Sequence, residues 1–127
     1  MKLWRILCGL WMVFIFIVSL WPPAPQDHPS LRQQMVHNFM HIPAYALLTY
    51  LIVRSFPFIE IRTTLYACGI SLAYGGFMEI LQSFVPGREC SLGDMGRNLS
   101  GALLAGLYVR FIHFGRLTSV NSRKENL

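Results

Sequence analysis

MEILQSFVPGRECSLGDMGRNLSG, from Met78 to Gly101, gathers Glu79, Gln82, Arg88, Glu89, Asp94, Arg97 and Asn98 into 24 residues. The stretches on either side, Thr63 to Phe77 and Ala102 to Val109, carry no charged residue. Read in order, the segment is a helix end, a turn and a helix start. Glu79 and Gln82 lie three apart and share a helix face, one turn after Gly75. Pro86-Gly87 closes that helix with a turn. Ser91-Leu92-Gly93-Asp94 then fits the Ser/Thr-x-x-Asp/Glu capping box of a new helix. Asp94, Asn98, Gly101 and Ala105 follow at spacings of four, three and four, again on one face. Gly101 to Ala105 is a small-xxx-small pair of the kind that brings two helices close.

Outward from this hairpin the chain of 127 residues is 54% hydrophobic and only 13% charged, against about 25% charged in a soluble average. Its apolar residues fall in four blocks, about 4–21, 39–56, 63–85 and 95–114. A helix of about 17–25 residues crosses a bilayer core, and each block meets that length. The expected fold is therefore an all-α membrane protein. It has four antiparallel transmembrane helices in one domain over 1–127, with a polar, disordered tail from 118. With both termini cytoplasmic, the inner segments hold Lys2, Arg5, Arg54, Arg62, Arg110, Arg116, Arg123 and Lys124. The outer ones hold only Arg32, Arg88 and Arg97. That asymmetry follows the positive-inside rule and accounts for the net charge of +5 without a nucleic-acid partner. The first block ends Ser19-Leu20-Trp21-Pro22-Pro23, without the small residues of a signal-peptidase site, and reads as an uncleaved span anchored by Trp4 and Trp21.

Pro22, Pro23, Pro25 and Pro29 make the first outer connection. In the second block His37, His41, Tyr45 and Thr49 recur every four residues as one polar stripe, and Pro43 permits a kink beside it. The third block holds Gly69, Ala73, Gly75 and Gly76, small residues suited to close helix packing. Three cysteines give no disulfide framework and no zinc spacing: Cys8 and Cys68 lie in apolar blocks, and Cys90 in an outer loop has no partner.

The pattern E-x-x-Q-x-x-x-P-G-R-x-x-S-x-x-D-x-x-x-N-x-x-G from Glu79 to Gly101 resembles the signature of the VanZ-like family of small bacterial membrane proteins. His41-x-x-x-Tyr45 ahead of an apolar helix resembles that family's upstream motif. The resemblance covers roughly residues 37 to 110. It implies a multi-pass protein of the bacterial cytoplasmic membrane, with His41, Tyr45, Glu79, Gln82, Arg88, Asp94 and Asn98 as its polar set. It also implies an influence on susceptibility to teicoplanin, a glycopeptide that acts on cell-wall precursors outside the membrane. It carries no biochemical activity with it. Where the family commonly has Asp-Lys before the His motif this chain has His37-Asn38, so no role of that pair carries over.

Glu79 lies about six residues inside the third block, roughly 9 Å deep at 1.5 Å per residue. An acid there needs a partner or water, and Arg88, Arg97 and His41 are the candidates. It is either an acid or base, an anchor for a head group, or half of an internal ion pair. Gln82 reads as an interhelical hydrogen bond, Asp94 as a helix cap with or without a second role, and Asn98 mainly as packing. Glu89 and Arg97 read as solvated charges. Arg88 either binds a phosphate or carboxylate or pairs with a neighbouring acid. His41 is open as a base, a ligand or a satisfied histidine; with no acid between His37 and His41, no metal is assigned and no cofactor is expected. Three functions stay open. The first is a non-enzymatic envelope factor that binds a membrane lipid, lipid carrier or cell-wall precursor. The second is an intramembrane enzyme with Glu79 and His41 as catalytic acid and base. The third is a small transporter or subunit of a complex.

Overall fold

The computed structural model describes residues 1–21, 30–86 and 91–125, with side chains except at 33, 34, 36, 37 and 113–125. These residues form four helices and no strand: α1 Lys2–Leu20, α2 Leu31–Arg54, α3 Ile61–Gln82 and α4 Leu92–Glu125. Pro43 lies inside α2 without ending it. α3 stops at Gln82, earlier than the apolar block, because Pro86 disfavours helical backbone at the residue before it. The chain instead tightens into a turn, with Phe84 N–H donating to Leu81 O and Val85 N–H to Gln82 O at 3.1 and 2.9 Å. α4 extends to Glu125, over most of the segment read as the tail. No proline follows Pro86, and an established helix gains one hydrogen bond for each residue added.

Successive helices run antiparallel. Arg5 Nε donates to Ser55 O at 3.4 Å and Trp11 Nε1 to Ala44 O at 3.0 Å, pairing the start of α1 with the end of α2. Cys68 Sγ donates to Ala102 O at 3.5 Å and Ser91 N–H to Glu79 Oε2 at 3.0 Å, which fixes α4 against α3 in the same sense. α2 is the centre of the bundle and touches all three other helices, while α1 and α4 do not meet among the described residues. The most extensive interface is between the parallel helices α2 and α4. Gly101 makes it possible: a Cβ there would lie 2.3 Å from Ile42 O and 3.0 Å from Ala46 N. Backbone therefore packs on backbone, as small residues permit.

α3 turns Thr64, Ala67, Ser71, Gly75, Met78, Glu79 and Gln82 inward, a spacing of three and four. Gly69 and Ala73 lie off that stripe and are exposed, with nothing within 4 Å of a Cβ at Gly69; of the four small residues expected to pack, Gly75 alone sits at a tight crossing. Gly106 supplies a second crossing of α3 with α4, against Cys68 and Thr64. Cys8 and Cys68 are free thiols, and Cys90 lies outside the described residues.

The interior mixes an apolar core, with Leu48, Val53, Ala67 and Met78 buried, with buried polar side chains, while the outside of the helices is largely apolar. Thr49, Thr64, Ser71, Glu79, Gln82, Asp94 and Asn98 are buried. Leu10, Phe14 and Ile17 of α1, Leu65, Phe77 and Ile80 of α3, and Leu103, Leu107 and Phe111 of α4 are exposed. A soluble monomer rarely exposes contiguous apolar surface on this scale. Buried hydroxyls tie the helices together: Thr49 Oγ1 donates to Ser71 Oγ at 2.7 Å. Replacing Thr49 with Val strands the Ser71 hydroxyl and is expected to lower stability by about 1 kcal/mol. Adding Ser71→Ala should recover most of that loss in thermal unfolding. A double variant that falls by the sum of the two singles would show that the hydroxyls are not coupled.

Candidate functional site

The site forms where α3 ends and α4 begins, beside the middle of α2. Ser91 caps α4 as its sequence predicts, its Oγ accepting the Asp94 N–H at 3.3 Å. The Ser91 N–H in turn donates to Glu79 Oε2. Glu79, only 2% exposed, thus places a carboxylate at the start of α4, where unpaired N–H groups and the helix dipole favour an anion. Of its expected partners, Arg88 lies outside the described residues, and the other two are engaged elsewhere. Arg97 pairs instead with Asp94, one turn before it on the same helix, and His41 is held by Asn98. Glu89 also lies outside the described residues, as does the side chain of His37.

His41 is brought to α4 by the close crossing at Gly101, one turn below. Its Nδ1 lies 2.9 Å from Asn98 Oδ1 and its Nε2 3.9 Å from Asp94 Oδ1. An amide oxygen only accepts, so Nδ1 carries the hydrogen and Nε2 faces the carboxylate. Asp94 also receives Arg97 Nη1, whose side chain keeps 32% of its exposure. Arg97 is therefore part of the cluster rather than a solvated charge. Asn98 is 1% exposed, and its Nδ2 has no hydrogen-bond partner among the described residues. It lies against Gly75, where a Cβ would come within 2.9 Å of Nδ2 and 3.1 Å of Tyr45 Cε1. Packing alone does not describe Asn98, because its amide oxygen orients the imidazole. Tyr45 is buried, with its ring parallel to that of His41 at 6.4 Å between centroids.

Gln82 serves a different contact: its Nε2 donates to Ser19 O at 3.1 Å and ties α3 to α1. Tyr74 Oη does the same about two turns away along both helices, donating to Met12 O at 2.7 Å. Between α1 and α2 these links leave a cavity of about 350 Å³. Trp11, Phe14, Ile15 and Val18 form its α1 wall, and Met40, Pro43, Ala44 and Leu47 its α2 wall. His41, Tyr45 and Gln82 supply its polar edge. The volume is at the small end of the roughly 300–1,000 Å³ typical of small-molecule pockets.

The structure thus joins His41, Asp94 and Asn98 in one hydrogen-bonded and ionic group, with Tyr45 stacked on it. Glu79 is hydrogen-bonded to the Ser91 N–H at the start of α4, and Gln82 faces the cavity and α1. Two features escape the linear reading. Arg97 is signalled by its i,i+3 spacing from Asp94. The cavity has no sequence signal, since its two walls come from helices whose relative rotation is set by packing. Among the described residues no group of three or more His, Cys, Asp or Glu is placed to hold a metal ion.

Two helices, α1 and α3, are long and apolar enough to cross a membrane; α1 has 6% of its apolar window buried in the bundle and α3 33%. Comparisons with family models, curated proteins and solved structures each give no match.

Proposed function

We propose that this chain is a VanZ-like protein of the bacterial cytoplasmic membrane, with four antiparallel spans and both termini cytoplasmic. On this reading it binds a lipid or lipid-linked cell-wall intermediate in the outer leaflet, and through it affects glycopeptide susceptibility. The extensive apolar surface on the outside of the helices, together with polar groups turned inward, supports the membrane reading for all four helices. α2 and α4 have too many polar residues to qualify by composition, yet Tyr45, Thr49, Asp94 and Asn98 face the bundle interior, as intramembrane polar residues do.

One observation carries the binding reading: the 350 Å³ cavity has hydrocarbon walls and ends on His41, Tyr45 and Gln82. That polarity matches an amphiphile, its chain between α1 and α2 and its head group at His41, beside Asp94 and Arg97. Ala44→Phe should fill the cavity from its α2 wall. Mass spectrometry of lipids retained by the purified protein is expected to show about a tenfold loss of one bound species, equivalent to roughly 1.4 kcal/mol. Equal retention by wild type and variant would end this reading.

A second reading, an enzyme acting on a lipid-linked substrate, is favoured by the oriented imidazole. Asn98 Oδ1 on Nδ1 and the Asp94 carboxylate facing Nε2 are the arrangement of a held acid or base. In that reading His41 and Asp94 act together, and Glu79 supports the start of α4. A modified lipid that accumulates with the wild type but not with His41→Ala would decide for it.

A further inference from the structure

At the end of the bundle opposite His41 and Asn98, two arginines lie on neighbouring helices, each in contact with a residue next to the other in sequence. Arg54 is the last residue of α2, and Arg5 lies in the first turn of α1. The Arg54 guanidinium carbon sits 4.7 Å over the centroid of the Trp4 ring. Trp4 is itself braced edge-on by Tyr50 at 6.1 Å. This cation–π contact holds the guanidinium over the ring. Beside it, Arg5 Nε reaches Ser55 O, the first carbonyl beyond α2.

Among the described residues neither guanidinium has an ion-pair partner. The ion pairs among the described residues both involve Asp94, at the other end of the bundle. Glu60, the acid nearest in sequence to Arg54, is exposed and engaged through its backbone carbonyl, which accepts from Thr64. Arg54 Nε is buried and has no hydrogen-bond partner among the described residues. A cation in the last turn of α2 complements the helix dipole, and basic residues on this side satisfy the positive-inside rule. Those effects explain the charge, and a lysine pointing into water would serve them equally. They do not explain a guanidinium clamped on an aromatic face with a donor left buried and unused.

We propose that Arg54 and Arg5 bind the phosphate group of an anionic phospholipid at this end of the bundle. A guanidinium presents paired N–H donors that match two oxygens of a tetrahedral phosphate, so the held Arg54 sets the direction and Arg5 adds the second charge. The lipid as source rests on the membrane reading above; the phosphate chemistry rests on the two arginines. Trp4 then lies at the interface, where an indole packs against the glycerol region of the same lipid.

The full chain is purified and reconstituted with phosphatidylcholine containing a minor fraction of phosphatidylglycerol. Liposome flotation is scored first, and the lipids retained after detergent extraction are then counted by native mass spectrometry. Wild type should retain phosphatidylglycerol over phosphatidylcholine. Arg54→Gln should reduce that preference about tenfold. Arg5→Gln, at an exposed position whose change leaves the core intact, should reduce it by a smaller factor. Arg54→Lys should recover only part of it, because an ammonium keeps the charge and loses the paired donors. Equal preference in wild type and both glutamine variants, after normal flotation, overturns the phosphate site and leaves the membrane reading standing. A wild type that fails to float overturns both. Inorganic phosphate at the concentration of the lipid phosphate should displace none of it; full displacement would make a free phosphate the ligand and overturn the lipid assignment.

Discussion

Gly101→Ala is expected to disrupt the bundle more than any other single methyl group added to it. The new carbon would lie 2.3 Å from Ile42 O and 3.0 Å from Ala46 N, and both are backbone atoms of α2. No rotamer change relieves such a contact; α2 and α4 must separate. Overpacking of a core commonly costs about 1–3 kcal/mol and sometimes more. Here the value should be at or above the upper figure, since separation of the two helices also pulls His41 from Asn98. The control is Gly69→Ala, with nothing within 4 Å of its added carbon. That change should be neutral or gain about 0.5–1 kcal/mol from helix propensity. Thermal unfolding of the two variants in detergent makes the comparison. A Gly101→Ala protein that melts with the wild type would mean that α2 and α4 do not cross on backbone.

The second large effect is expected at Asp94. Its carboxylate accepts from Arg97, faces His41 Nε2 at 3.9 Å and lies in the first turn of α4. Asp94→Ala removes all three interactions at once. Breaking a fully buried pair costs about 3–5 kcal/mol, but Arg97 retains a third of its exposure and solvent screens part of that interaction. A loss of about 2 kcal/mol follows. Arg97→Ala should lose a similar amount, because it leaves a buried carboxylate with only His41 beside it. The double variant should lose about 1 kcal/mol less than the sum of the two singles. Additive losses would show that Asp94 and Arg97 do not form a pair. Asp94→Asn separates charge from shape: it keeps an acceptor near Arg97 and should fall between wild type and Asp94→Ala.

The two substitutions lie about two turns apart on α4, yet they differ in how far the sequence announces them. Gly101 is marked by its small-xxx-small spacing to Ala105, which says that some helix comes close. That the partner is α2, running parallel, and that the contact falls on Ile42 and Ala46 beside Pro43, is written in no local pattern. Asp94 is marked by the Ser91 capping box, and the cap is present. Its pairing with Arg97 is also local, a matter of i,i+3 spacing. Its approach to His41, 53 positions away by their numbers, is not. Glu79 shows the same division. Its inward face follows from the spacing of Gly75, Met78 and Gln82. Its partner is the Ser91 N–H, which only the closure of the α3–α4 turn could supply.

By itself, then, the sequence determined where helices form, which inner face carries their polar residues, where α3 begins and ends and where α4 begins within a few residues, and that α4 starts on a serine cap. Those are consequences of helical periodicity and of proline and capping chemistry, which act over a turn or two of one chain. Tertiary structure alone decided the pairing of His41 with Asn98, the close parallel contact of α2 with α4, the cavity between α1 and α2, and the contacts of Arg5 with Ser55 and of Arg54 with Trp4. Each depends on the rotation and height of one helix against another. Those are set when Gly75, Gly101 and Gly106 let backbones approach and larger side chains fill the remaining space.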